Sequence, residues 1–264
     1  MKKINFTKMV ASGNDFVVAV EPELRGFKLG PLAKTICDRR FGAGADGLLV
    51  LGKSKRAGVR MRIFNADGSE AEMCGNGARC AALFAKSKIK SGIETIAGII
   101  EARVKNDYAR IKLTDPKSIK LDIPIKVGAR IMKVNFLNTG VPHVVIFVQG
   151  LDKLNVGLIG RYIRRHRQFA PAGTNVNFIE VLGPNSIAIR TYERGVEDET
   201  LACGTGSAAS AIVFALKGAK GSPIKLKTKG GDVLKVYFDK CGDKFKNVWL
   251  EGKARKVYEG EYYV

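Results

Sequence analysis

Residues 74–77 read Cys-Gly-Asn-Gly and open the alanine-rich run 78–86; residues 203–206 read Cys-Gly-Thr-Gly and open a second such run, 207–216. The surroundings repeat as well. Upstream of the first lies Arg62-Ile63-Phe64-Asn65 and upstream of the second Arg190-Thr191-Tyr192-Glu193. Downstream, Thr95 and Gly98 lead into the alternating segment 99–104, as Thr228 and Gly230-Gly231 lead into 233–238. One shared Cys-Gly-x-Gly would be weak evidence. The ordered series of strand, Cys-Gly-x-Gly, apolar helix, Thr/Gly turn and strand, met twice about half a chain apart, points to an internal duplication.

Each half then reads as mixed α and β. Alternating or continuous apolar runs predict strands at 4–9, 16–20, 47–51, 59–64, 93–105 and 108–113, then at 131–137, 143–148, 176–182, 186–192, 224–228, 233–238 and 247–250. The helices that follow the two Cys-Gly-x-Gly turns are apolar nearly all round and therefore buried on most sides. The expected architecture is α+β: two similar domains, each a curved mixed sheet, or half-barrel, wrapped around one central helix. The expected division is 1–116 and 117–264, near Asp115-Pro116, with the final strand 256–264 returning to the first domain.

The chain of 264 residues is 45% hydrophobic, enough for two modest cores. Its longest apolar stretches are of strand length and too short to cross a bilayer. The N-terminal Lys2-Lys3 is followed by Lys8, Asn14 and Asp15 rather than by a signal-peptide core, so a cytoplasmic location and no membrane partner are expected. Five cysteines make no disulfide framework, there is no CxxC pair, and the two histidines, His143 and His166, leave little for a zinc site. The net charge of +20 raises a nucleic-acid partner. The basic residues are spread along the chain and not interleaved with aromatics, so a solvated basic surface, able to attract an anionic small substrate, is the better reading.

A cysteine just before a helix sits in the positive field of that helix's start, where free backbone N–H groups accept an anion. The same field favours thiolate over thiol. Glycines at 75, 77, 204 and 206 let the backbone approach a ligand closely. Two such helix starts can share a carboxylate and stabilise the charge that grows beside an α-carbon losing its proton. One thiolate removes the proton from one face and the opposite thiol delivers one to the other, which is what inversion of a stereocentre requires. Cys74 and Cys203 are thus the candidate acid/base pair of a cofactor-independent amino-acid epimerase. Cys37, Cys80 and Cys241 read as inert filler. The glycine-rich turn 42–47 is where a mobile loop is expected.

Across nearly its whole length the chain resembles the diaminopimelate epimerase family. The motifs that carry the resemblance are Ser12-Gly13-Asn14-Asp15-Phe16, the stretch 38–47, Phe64-Asn65-Ala66-Asp67-Gly68-Ser69, Met73-Cys74-Gly75-Asn76-Gly77-Ala78-Arg79, Thr139-Gly140-Val141-Pro142-His143, Gly173-Thr174-Asn175-Val176-Asn177-Phe178, Glu193-Arg194-Gly195 and Ala202-Cys203-Gly204-Thr205-Gly206. The resemblance implies a homodimeric enzyme without metal or cofactor. Its reaction would interconvert LL- and meso-diaminopimelate on the route to lysine and peptidoglycan precursors. It places Asn14, Asn65, Asn175, Glu193 and Arg194 against the substrate, with Gly75, Asn76, Gly204 and Thr205 in the turns that hold the reacting carboxylate. It gives His143 and Glu193 the task of tuning the thiols. The chain departs from the family pattern at Val141, where many members have Asn.

Three other readings compete. The proline racemase group shares two-cysteine chemistry but tends to carry His where this chain has Asn76. The phenazine-biosynthesis type isomerases lack the cysteine pair, and nucleic-acid binding leaves the repeated turns unexplained.

Overall fold

A computed structural model describes residues 2–264, which divide into two compact units: residues up to Ile111 together with Gly252–Val264, and Lys112–Glu251. The first unit contains β1 (Lys3–Ala11), β2 (Asn14–Val20), α1 (Leu29–Ile36), β3 (Gly47–Gly52), β4 (Val59–Asn65), β5 (Glu70–Ala71), α2 (Gly75–Phe84), β6 (Ile93–Thr95), β7 (Gly98–Ile100), β8 (Ala102–Lys105) and β9 (Tyr108–Lys112). The second contains β10 (Lys117–Val127), β11 (Arg130–Asn138), β12 (Pro142–Phe147), α3 (Val156–Arg164), β13 (Asn175–Gly183), β14 (Ser186–Glu193), β15 (Asp198–Thr200), α4 (Gly204–Leu216), β16 (Ile224–Lys227), β17 (Val233–Cys241) and β18 (Lys244–Lys253). The last strand, β19 (Arg255–Tyr263), pairs antiparallel with β1 in the first unit, Thr7 opposite Glu259.

The pairing scheme repeats strand for strand. In the first unit β1–β2 is antiparallel, β2–β3 parallel, β3–β4 and β4–β5 antiparallel, β4–β6 parallel and β6–β7 antiparallel. In the second β11–β12 is antiparallel, β12–β13 parallel, β13–β14 and β14–β15 antiparallel, β14–β16 parallel and β16–β17 antiparallel. A short helix, α1 or α3, makes the crossover between each first parallel pair, and α2 or α4 between each second. The fold is therefore two mixed β-sheets, each packed around a central helix and related by duplication.

Burial on both faces explains the near-continuous apolar strands. In the first unit Leu48 and Val50 of β3 join Ile4, Val17, Leu32, Ile36 and Phe64 in a core under α1. Leu49 points the other way: a Cβ on Gly77 of α2 would sit 3.1 Å from Leu49 Cδ2 and 3.3 Å from Ile63 Cδ1. In the second unit Val144, Ile146, Val176 and Phe178 pack with Val156 and Ile163 under α3. There α4, with every residue from Gly206 to Ala215 buried, packs against β11–β14, β16 and β17.

Three local expectations are corrected. The run 93–105 is not one strand: a tight turn at Ile96-Ala97, with Thr95 Oγ1 donating to Gly98 O at 2.8 Å and Gly98 at φ 120°, splits it into β6, β7 and β8. Helices α1 and α3 and strand β10 were not foreseen. The turn 42–47 is tied down instead of loose. Gly42 N, Gly44 N and Ala45 N donate to the carbonyls of Asp38, Ile36 and Cys37, and the buried Lys8 ammonium donates to Gly44 O.

Candidate active site

In the first unit Cys74 is the N-cap of α2, extended at φ −139° and ψ 124°. Its thiol donates to Asn14 Oδ1 at 3.7 Å. Asn14 opens β2 immediately after a tight turn in which Ser12 and Gly13 both take positive φ. Its Nδ2 donates to Asp46 Oδ2 at 2.6 Å. Asp46 in turn belongs to an ion network: Arg39 reaches Asp15 at 2.8 Å and Asp46 at 2.7 Å, and Lys8 reaches Asp15 at 2.8 Å. Burial works against the Asp15 charge, yet the bonds from Arg39 and Lys8 hold its carboxyl well below the usual range. This network fixes both the Asn14 turn and the stretch 38–46.

Asn65 ends β4, and the register Phe16–Gly47–Asn65 puts it at the same end of the sheet as Asn14. Its Nδ2 donates to Ser69 Oγ at 2.9 Å within the 65–69 turn. Asn76, in the first turn of α2, is buried and accepts from Arg79 Nη2 at 2.5 Å; the same nitrogen donates to Ser12 Oγ at 3.0 Å. Arg79 is fully buried and is not among the residues singled out from sequence. Its place in an alanine-rich helix, five positions after a cysteine, was the available signal.

In the second unit Cys203 is the N-cap of α4, at φ −120° and ψ 119°. Its sulfur accepts from Gly206 N at 3.4 Å and lies 3.4 Å from Thr205 Oγ1. Thr139 Oγ1 donates to Thr205 O at 3.1 Å and pins the turn to the end of β11. A Cβ on Gly204 would come within 2.8 Å of Leu250 Cδ2, so a side chain there would displace that methyl.

His143 and Asn175 are register partners on the parallel pair β12–β13. Asn175 clamps two loops: Nδ2 donates to Pro142 O at 3.0 Å and Oδ1 accepts from Arg194 N at 2.9 Å. Arg194 Nη1 is bonded to Ala172 O at 3.1 Å, leaving other guanidinium N–H groups for a ligand. Burial raises the Glu193 carboxyl pKa, partly offset by the neighbouring Thr200 hydroxyl. Burial, helped by the Arg194 charge, pushes His143 down to about 3, so its ring is neutral. Two further buried side chains, Asn177 and Thr191, join this group and were not singled out from sequence.

The structure thus gathers Asn14 with Cys74, Asn76 with Arg79 and Ser12, Thr205 with Cys203, and Asn175 with Arg194. Cys37 and Cys80 are buried, and desolvation pushes each up to about 12, which makes them poor nucleophiles. Among the described residues no group of three or more His, Cys, Asp or Glu side chains is placed to hold a metal, and no helix is long and apolar enough to cross a membrane. A cleft of about 450 Å³ on the first unit, lined by Phe6, Thr7, Val18, Glu23, Phe84 and Glu261 among others, contains none of these site residues.

The family model for diaminopimelate epimerase matches residues 6–119 and 135–257. A diaminopimelate epimerase of Aquifex aeolicus is 41% identical over 97% of this chain and 97% of its own length. One from a Hydrogenobaculum species is 44% identical over 96% of each. Among solved structures, a Bacillus anthracis phenazine biosynthesis protein of the PhzF family superposes with a TM-score of 0.74 at 19% identity, covering 100% of both chains, a likeness of fold alone.

Proposed function

The chain belongs to the diaminopimelate epimerase family of isomerases, and on that premise we propose that it interconverts LL- and meso-diaminopimelate by two-base proton transfer between Cys74 and Cys203, without metal or cofactor. The observation that carries the mechanism is that each cysteine is the N-cap of the central helix at the same place in a repeated strand order. Duplication of one acid/base site is the simplest way to supply two opposed proton carriers.

In this reading the reacting carboxylate takes the backbone N–H groups of Gly75-Asn76 and Gly204-Thr205. Those donors stabilise the charge that spreads onto the carboxylate as the α-proton leaves, and they are already oriented before the reaction begins. The distal end of the substrate is itself an amino acid. Its carboxylate suits the Arg194 guanidinium, and its ammonium suits acceptors from Asn14, Asn65, Asn175 and Glu193. His143 and Glu193 adjust the thiols. The product serves lysine and peptidoglycan synthesis in the cytoplasm, and the enzyme works as a homodimer. With Val141 in place of a polar side chain, distal recognition falls to the asparagines and Arg194.

Chiral chromatography of LL-diaminopimelate incubated with reduced enzyme tests this reading, with proline alongside. Formation of the meso isomer, none from proline, and loss of turnover in both Cys74→Ala and Cys203→Ala are expected. Near-normal turnover in either variant would rule out the two-base scheme.

A further inference from the structure

Beneath the first turn of α4 lies a side chain that none of the roles above uses. Asn177 of β13 is fully buried, and a Cβ on Gly206 would overlap its Oδ1. Gly206 is also the residue whose N–H meets the Cys203 sulfur. Asn177 therefore links the thiol-bearing helix start to His143.

Its hydrogen bonds fix its orientation. Asn177 Nδ2 lies 2.9 Å from Val144 O, which can only accept, so this atom is the amide NH2. Thr191 Oγ1 donates to Oδ1 at 3.0 Å, in agreement. The same Nδ2 stands 3.2 Å from His143 Nδ1. Facing a donor, Nδ1 must offer its lone pair, and a neutral imidazole then carries its proton on Nε2. Turning the amide over would set Oδ1 against Val144 O, acceptor facing acceptor, and lose that buried bond.

We propose that Asn177 is a positioning residue that locks His143 as the neutral Nε2–H tautomer, so that His143 acts in the site as a fixed hydrogen-bond donor and takes no proton on Nδ1. His143 Nε2 is buried and has no hydrogen-bond partner among the described residues. A buried donor held without a partner is costly, and Asn177 keeps that donor aimed rather than letting the ring rotate to satisfy it. The tautomer follows from this geometry alone. Its catalytic consequence rests on the two-cysteine reaction proposed above.

The chain has two histidines, so ring ¹⁵N spectra identify His143 once His166→Gln removes the other signal. The expected spectrum is that of a neutral Nε2–H ring throughout about pH 6 to 9, a range across which an ordinary imidazole of pKa ≈ 6.5 would pass from mostly protonated to neutral. A Nδ1–H ring or an imidazolium in the wild type would overturn the proposal, whatever the activity. Asn177→Asp replaces the donor with an acceptor and should move the proton to Nδ1, with a fall in kcat of about tenfold or more and a smaller change in KM. Thr191→Val disturbs the other side of the same amide and should leave the tautomer as it was. If Asn177→Asp folds, keeps the Nε2–H ring and turns over normally, the lock does not exist. If the variant does not fold, the wild-type spectrum still decides. An Nε2–H ring in an enzyme inert toward diaminopimelate would keep the lock and discard the reaction.

Discussion

Among the five cysteines, position rather than type separates reagent from filler. Cys37 and Cys80 are buried and their thiols are pushed up to about 12 by desolvation; Cys203 is buried as well, but it and the half-buried Cys74 cap helices, and Cys241 is exposed. Alkylation of the native protein followed by mass spectrometry should label Cys241 and Cys74 first, reach the buried Cys203 more slowly, and reach Cys37 and Cys80 only after unfolding. His143 carries a second residue-scale prediction. Its folded value of about 3 lies below the ordinary 6.5, so the unfolded chain binds its proton first as pH falls. Nothing is lost above 6.5; between 6.5 and 3 stability declines by up to about 1.4 kcal/mol per pH unit on account of this group. Urea unfolding at successive pH values should show that slope, and His143→Gln should lack it. Cys74 and Cys203 stand out in the sequence because each opens one of two repeated turns, whereas the asparagines and Arg194 enter as candidates only through the family resemblance. Arg79 and Asn177 were not legible: a buried Arg in an alanine-rich helix and a second Asn on a strand look like surface or capping residues until their partners are known.

At the scale of elements, the helices after the two cysteines declared themselves by being apolar all round, while α1, α3 and β10 did not. Helix α1 is eight residues long, with Gly30 and Pro31 in its first turn, where a missing N–H costs nothing but composition argues for a loop. Strand β10 is an edge strand, largely exposed and lysine-rich, interrupted by Pro124 and by positive φ at Ser118 and Asp122, so it shows little period-2 pattern. Those same irregularities keep a long edge from pairing with another chain. The two helix starts also differ in tolerance. A Cβ at Gly77 comes closest to the ends of Leu49 and Ile63, at 3.1 and 3.3 Å, but at Gly206 it would overlap the amide of Asn177. Gly206→Ala should therefore destabilise by about 1–3 kcal/mol and Gly77→Ala by less, compared by urea midpoints at unchanged m.

At the scale of the whole molecule, duplication was readable because it acts on order. Strand, turn, helix and strand recur in sequence, and the same order of parallel and antiparallel pairs recurs in the sheets. The excess of positive charge, +20, has a different bearing. Diaminopimelate carries two ammonium and two carboxylate groups, so at neutral pH it is formally uncharged overall. The field that favours a negatively charged ligand gives such a zwitterion little net pull. The expected kcat/KM is nearly flat between low and physiological salt, and a steep fall would mean that the field steers the substrate after all.

The central claim is that two separate groups handle the proton on the two faces of the α-carbon. The most direct measurement is the early course of the reaction of LL-diaminopimelate in D2O, with substrate and product separated and each examined for α-deuterium. Two-base transfer between thiols predicts meso product deuterated at the inverted carbon from the first turnovers, while the remaining LL substrate keeps its α-proton. Deuterium appearing equally fast in substrate and product would mean that a single group serves both faces, and would contradict the pairing of Cys74 with Cys203.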